Sequence, residues 1–415
     1  MLRRTITTAL AVVGLAVGAG FASGREVIQY FVSFGIPGLV GAVLAAVLFS
    51  LMCLVVLQLG SYYRASEHSA VFNAVTTPFL SRALDLFIIF TLFATGFVMI
   101  AGAGANLNQQ FGVPVWFGSL ALTLLVIVAG MLDVRRVTEV IGVITPVIVV
   151  FITAAGIYSF THPAGTLSEL APVASQVPST LPNWLISSLN YVAMGFALAV
   201  SMAIVMGGDM LDPKSAGRGG LLGGATYGAL LLITTFALYF NVNYVAYAEM
   251  PTLQLVNFIH PIAGTVMSAV IFAMIFNTAI GMYYALTSRV VAKRPERFRP
   301  TIVVLALAGF AVSFVGFGNL VSYLFPVIGY VGIGICLVIA AGWLKARPSI
   351  VEEIERRTRI RQLFRKKLDK SQPYSPAEER HLRKEIHASN LDNDQLWRDV
   401  SDEVTAELAK DSDQN

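Results

Sequence analysis

Long apolar runs of about twenty residues recur along the sequence, and they limit its possible folds more than any other feature. A bilayer core of roughly 30 Å takes about 20 residues of α-helix to cross, at about 1.5 Å each. Reading for such runs gives ten candidate spans, at 5–34, 37–60, 83–107, 114–132, 137–160, 184–208, 219–246, 261–288, 301–317 and 320–344. Lipid offers no hydrogen bonds to backbone, so each run is expected to be a helix that pairs its own N–H and C=O groups. Charged residues make up 13% of the chain, against about 25% in soluble domains, which excludes a soluble fold. The opening Arg3-Arg4 and its apolar stretch resemble a secretory signal, but the run continues to Phe34 and is kept as the first span.

Basic residues test the count. With the amino end in the cytoplasm, Arg64, Arg82, Arg135, Arg136, Lys214, Arg218, Arg289, Lys293, Arg294, Arg297 and Arg299 all fall on the inner side. The long outer loops at 161–183 and 247–260 contain no Lys or Arg. A span miscounted anywhere would scramble this asymmetry beyond the error. The expectation is a multi-pass protein of the cell membrane with both ends cytoplasmic. The net charge of +4 therefore reflects topology and gives no reason to expect nucleic acid as a partner.

Five spans in each half force the second half to start from the opposite side of the membrane, so any repeat is an inverted one. The first members of the two halves are the helices most open to interruption. Helix 1 carries Gly18-Ala19-Gly20-Phe21-Ala22-Ser23-Gly24, and helix 6 carries Tyr191-Val192-Ala193-Met194-Gly195-Phe196-Ala197. The rise from Thr5 to Gly20 is roughly 23 Å and that from Trp184 to Gly195 roughly 17 Å, near the membrane middle. Breaks are expected in both helices. For Gly195 close packing against a neighbour is the competing reading, and Gly102, Gly104, Gly220 and Gly224 are expected to do only that.

A break at depth is tolerated only where it is buried or lines a cavity. Unwound carbonyls over Ala16 to Ala19 would face a cation, and N–H groups near Ser23, Gly24 and Arg25 would face a carboxylate or another acceptor. Arg25 is the one Lys or Arg within the ten spans away from the inner side, so it needs a partner: Glu26, a backbone carbonyl, Tyr323 or the solute. Asn106 and Tyr191 are polar at similar depth, as interhelical hydrogen bonds or as ligands.

Beyond residue 345 the composition turns abruptly to a charged tail, 346–415. Ile350, Ile354, Ile360, Leu363, Phe364 and Leu368 share a helical face among arginines and lysines, a pattern that suits contact with anionic lipid. A later helix is expected to start at Ser375-Pro376.

No enzymatic motif survives inspection: there is no phosphate loop, GxSxG or HExxH, and His68, His162, His260 and His387 are scattered over loops and tail. Cys53 and Cys336 each lie in an apolar run, as small buried hydrophobes.

The run Gly18-Ala19-Gly20-Phe21-Ala22-Ser23-Gly24-Arg25-Glu26 resembles the first-helix signature of the YkvI-like membrane proteins, bacterial relatives of the amino acid-polyamine-organocation superfamily with the LeuT fold. The resemblance covers roughly residues 1–345. It implies an all-α fold of ten spans in a five-plus-five inverted repeat, with a central solute site between helices 1, 3, 6 and 8. Gly20, Phe21, Ala22, Ser23, Gly24, Asn106, Tyr191, Met194 and Gly195 would form that site. It also implies a sodium ion between helices 1 and 8, which maps to Ala16 and Ala19 and to Asn277-Thr278. Asn stands where a second hydroxyl is usual, and the competing role for Thr278 is a bond to its own i−4 carbonyl. Arg25 and Glu26 would sit at an outer gate. No cofactor beyond sodium is expected. The resulting function is sodium-coupled symport of a small zwitterion or organic acid; the alternative is a membrane sensor or scaffold that signals through the tail.

Overall fold

The computed structural model describes residues 2–131, 144–369 and 372–412, which are helical with no strand among them. The first apolar run is not one helix. It is divided into α1 (Leu2–Ala16), α2 (Ala19–Ser23) and α3 (Arg25–Tyr30), followed by a 3-10 turn at Val32–Phe34. The glycines cause both divisions. Gly18 is extended (φ −92°, ψ 178°), and Gly24 is left-handed (φ 77°, ψ −6°), a conformation that side chains disfavour.

The chain continues through α4 (Gly35–Tyr63), α5 (His68–Val75), α6 (Pro78–Phe111) and α7 (Val115–Met131). After them come α8 (Ile144–Thr161), α9 (Leu167–Ala174), α10 (Trp184–Gly208) and α11 (Pro213–Phe240). The short α12 (Val242–Val245) and α13 (Pro251–Ile259) precede α14 (Pro261–Val290), α15 (Phe298–Ser313) and α16 (Phe317–Leu368). The chain finishes with α17 (Pro376–His387) and α18 (Asn393–Ser412). The start of the expected span 137–160, with Arg135 and Arg136, lies outside the described residues.

Among the described residues six helical stretches are long and apolar enough to cross a membrane, and Thr5–Ala16, Val115–Met131 and Thr145–Thr161 are shorter apolar helices. The protein is a multi-pass membrane protein. Its helices approach closely at small residues: a Cβ placed on Gly224 would stand 2.6 Å from the Ser50 Cα, and one on Gly104 2.5 Å from the Val115 carbonyl oxygen.

Three features differ from the sequence reading. First, α10 is a single helix of 25 residues, so helix 6 is unbroken. Gly195 keeps helical geometry there, and the space above it belongs to Phe49, whose ring would lie 3.2 Å from an added Cβ. A lone glycine costs a helix only about 1 kcal/mol, which packing of this kind readily offsets. Second, α16 runs for 52 residues, about 78 Å at 1.5 Å per residue, so the backbone passes position 345 without interruption. Third, the apolar face of the tail is covered. Ile360 and Phe364 pack with Leu382 and Ile386 of α17 and with Leu396, Val400 and Val404 of α18. The basic residues around it are paired: Lys366 with Glu378 at 3.0 Å, Lys367 with Glu379 at 2.8 Å, Arg359 with Glu385 at 3.2 Å, and Arg361 with Glu407. Of the face that suited anionic lipid, the part from Ile360 to Leu368 is thus packed within the tail, and Ile350 and Ile354 pack against the core of the membrane part.

The tail also holds the end of α4. Arg357 is 5% exposed. Its guanidinium donates to the carbonyls of Ser61 (3.0 Å), Tyr62 (2.9 Å) and Leu211 (2.9 Å), and to Asn390 Oδ1 (3.0 Å). Arg64 reaches Asp399 in the same region.

Candidate functional site

The interruption between α1 and α2 opens onto a cavity of about 220 Å³. At about 30 Å³ per liquid water this is the room of roughly seven waters, enough for a small solute and too little for a peptide. Its wall comes from α1, the loop at Val17 and Gly18, α2, α10, α11 and α14, with Glu26 from α3, Phe49 from α4, Thr95 and Met99 from α6, Thr145 from α8 and Phe325 from α16. The Gly18 N–H, which a continuous helix would give to Gly14, instead donates to the Ala16 carbonyl at 2.9 Å. Gly14 thereby loses its helical donor, and the Val17 carbonyl accepts from no backbone N–H among the described residues. Gly14 and Val17 both line the cavity. Gly14 and Val17, on either side of the expected Ala16, are thus among the residues whose carbonyl oxygens the break frees.

Ala16, Ala19, Asn277 and Thr278 all line this same cavity, as do Gly20, Phe21, Tyr191, Met194 and Gly195. Within α14, Thr265 and Thr287 return their hydroxyls to the carbonyls four residues back, at 3.3 and 2.6 Å. Thr278 makes no such bond, and neither its hydroxyl nor the Asn277 amide has a protein partner among the described residues. The competing role for Thr278, a bond to its own helix, is therefore not the one it takes.

Other sequence candidates lie behind the wall. Ala22, Ser23 and Gly24 are buried beside the cavity and do not line it. The N–H groups expected to await an acceptor are used within the turn: Gly24 donates to the Phe21 carbonyl at 3.1 Å, and Arg25 to Ser23 Oγ at 3.1 Å. Ser23 Oγ itself donates to the Gly20 carbonyl at 2.7 Å. Asn106 is an interhelical contact whose amide donates to the Ser268 carbonyl at 2.9 Å, while its own oxygen stays unpartnered among the described residues.

Arg25 and Glu26 separate. Arg25 donates to the Ala248 carbonyl at 3.2 Å, the backbone partner among those foreseen for it. Glu26 turns the other way, into the cavity wall, and is 6% exposed. Gly20 makes room for it: a Cβ there would meet Glu26 Oε1 at 1.7 Å.

Of the aromatic wall, sequence reasoning named Phe21 and Tyr191 and missed Tyr227 and Phe49. Tyr227 of α11 shares a hydroxyl bond of 2.7 Å with Tyr191, and its ring lies 5.2 Å from Phe21 and 4.6 Å from Phe49. A tyrosine inside an apolar run is the available signal, because its hydroxyl must find a partner at depth.

Comparison with known proteins agrees with this architecture. The chain is 26% identical over 324 residues to the membrane protein YkvI of Bacillus subtilis, covering 77% of this chain and 91% of YkvI. It is 25% identical over 334 residues to YyaD of the same organism, covering 80% of this chain and 95% of YyaD. The resemblance to the YkvI-like membrane proteins is borne out. No protein-family model matches the sequence. Among solved structures, Mhp1 in its inward-facing conformation superposes with a TM-score of 0.55 at 12% identity, over 83% of this chain and 77% of Mhp1. That likeness shows the fold, the LeuT fold of Mhp1, which is itself described as a nucleobase-cation-symport-1 family transporter.

Proposed function

We propose that this YkvI-like protein is a secondary active transporter that moves a small solute by alternating access, with sodium as the coupling ion. In this reading the fold has ten spans in a five-plus-five inverted repeat, in the cell membrane with both ends cytoplasmic. The solute occupies the cavity at the interruption of helix 1, and amino acids and related zwitterions or organic acids are the class that cavity's size admits.

The reading rests on Thr278, whose hydroxyl has no partner among the described residues and which lines the same cavity as Gly14 and Val17, whose carbonyls accept from no backbone N–H among them. A hard monovalent cation takes oxygen ligands, and this donor set consists of them, with the Asn277 carbonyl as one more. Groups of three or more His, Cys, Asp or Glu suited to a softer metal are absent among the described residues. The test is protection of the purified protein against heat by sodium chloride, with potassium chloride as the ionic control. Sodium is expected to protect saturably, and Thr278→Val, close in volume but one oxygen poorer, is expected to need several-fold more. A wild type indifferent to sodium refutes the coupling ion, and an unchanged variant moves the ion away from Thr278.

A second reading, a sensor signalling through the tail, is favoured by one observation: α16 connects cavity-lining Phe325 to Arg357 in a single helix. Deleting the residues after 368 separates the two. A transporter keeps uptake in liposomes, whereas a sensor binds without uptake in either form.

A further inference from the structure

Among the described residues that line the cavity, Glu26 is the one acid and none is Lys, Arg or His. The carboxylate is 6% exposed, and no described residue gives it a hydrogen bond or an ion pair. The adjacent cation is committed elsewhere, since Arg25 donates to the Ala248 carbonyl on the other side of the turn. A carboxylate buried without a partner is costly, so the site gains most from a ligand that brings the missing positive charge. Its surroundings suit an organic cation. Phe21, Phe49 and Tyr227 form a chain of ring contacts at 5.2 and 4.6 Å, Tyr191 joins it through its hydroxyl, and all four line the cavity with Glu26. Ring faces attract an ammonium group within about 6 Å, more strongly where water is excluded. A solute whose only charge is a carboxylate would meet Glu26 as a like charge.

We infer that the solute is an amine, received by its ammonium end against Glu26 and the rings of Phe21, Phe49, Tyr191 and Tyr227. This rests on the reading of the cavity as the solute site, and it narrows the solute class to amines and amine-bearing zwitterions, leaving simple organic acids out. Gly20 is part of the device, because any side chain there would occupy the place of the Glu26 carboxyl.

The experiment uses the full-length protein in detergent with potassium as the only metal ion, and follows thermal unfolding against butylammonium chloride, potassium butyrate and butyramide. These probes share a chain and differ in the charge of one end. Butylammonium is expected to protect saturably and the other two not. Glu26→Gln should weaken the butylammonium effect by about tenfold or more, equivalent to about 1.4 kcal/mol, and Glu26→Asp should retain part of it. Should Glu26→Gln not fold, the three probes on the wild type still decide. Protection by butyrate or butyramide equal to that by butylammonium overturns the inference, as does protection by none of the three. A Gln variant with the wild-type response also overturns it. Sodium chloride is the remaining arm: protection that needs Glu26 with sodium but not with butylammonium makes the carboxylate an ion ligand and overturns the inference. Uptake of labelled butylammonium into liposomes separates this from the transport reading. Binding without uptake defeats transport and leaves the amine site standing, whereas uptake of another solute without amine binding defeats the amine site alone.

Discussion

Glu26 and Glu353 are both buried carboxylates, 6% and 1% exposed, yet their settings are opposite. Glu353 is fully committed: Arg357 Nε and Arg356 Nη1 each donate to it at 2.8 Å, and Ser389 Oγ donates at 2.5 Å. Glu26 faces a cavity and has no such partner among the described residues. A buried charge whose partners belong to the protein is a fastener, here tying the tail to the inner end of α4. One whose partner is missing is a vacancy for something that arrives and leaves. The difference also separates the backbones, since α16 is continuous through Glu353 whereas helix 1 is interrupted on both sides of Gly20.

The largest way to break the comparison is at the fastener. Arg357→Ala removes five hydrogen bonds and leaves Glu353 under-compensated, a loss of about 3–5 kcal/mol for a buried pair. The tail should become accessible to trypsin while the membrane part stays protected. A cleavage pattern like that of the wild type would mean the fastener carries no load.

In the interrupted helix, Gly24→Ala is expected to cost about 1–2 kcal/mol from the left-handed backbone. A further cost comes from a Cβ placed 2.3 Å from Thr252 Oγ1 and 3.0 Å from its backbone nitrogen. Gly18→Ala is the matched control: its φ of −92° suits alanine and nothing lies within 4 Å of the new Cβ. Equal melting temperatures for the two variants would contradict the division of labour between the two glycines.

Gly20→Ala should be milder for stability and severe for binding. The clashing atom is the free end of the Glu26 side chain, which can swing away, but its carboxyl then leaves the ligand's place. Butylammonium titration of this variant measures it, and an undiminished response would remove Glu26 from the site.

The smallest effect is expected from acid. The Ser375 backbone N–H and the Lys366 ammonium hold Glu378 below the ordinary carboxylate value of 4.5, and Lys367 does the same for Glu379. A lowered folded-state pKa contributes stability that is present above 4.5 and lost as the pH falls through the lower folded value. Limited proteolysis of α17 should therefore quicken slightly below pH 4.5 and remain constant above it.

What the sequence could reveal follows from where the causes lie. The interruption of helix 1 was legible because its cause is local: glycines at 18 and 24 let the backbone leave helical geometry. The continuity of α10 was not, because the role of Gly195 is decided by Phe49 on another helix. The tail's apolar face was legible as a face to be buried, but α17 and α18 could not be chosen over lipid from its periodicity alone. Arg25 and Glu26, neighbours in sequence, stand about 100° apart around a helix of 3.6 residues per turn. One can therefore serve Ala248 and the other the cavity, which adjacency in the sequence conceals.

Glu26, without a partner among the described residues, is completed by an arriving cation, whereas Glu353 always has its own partners. The most direct test is the melting temperature of Glu26→Gln and of Glu353→Gln, each with and without butylammonium. Without ligand, Glu26→Gln should unfold at or above the wild-type temperature, because a buried carboxyl without a described partner is removed, and Glu353→Gln should unfold clearly below it. With butylammonium, the rise in melting temperature should vanish in Glu26→Gln and persist in Glu353→Gln. A Glu26→Gln protein that is destabilised as far as Glu353→Gln, and that still responds to the amine, would contradict the account.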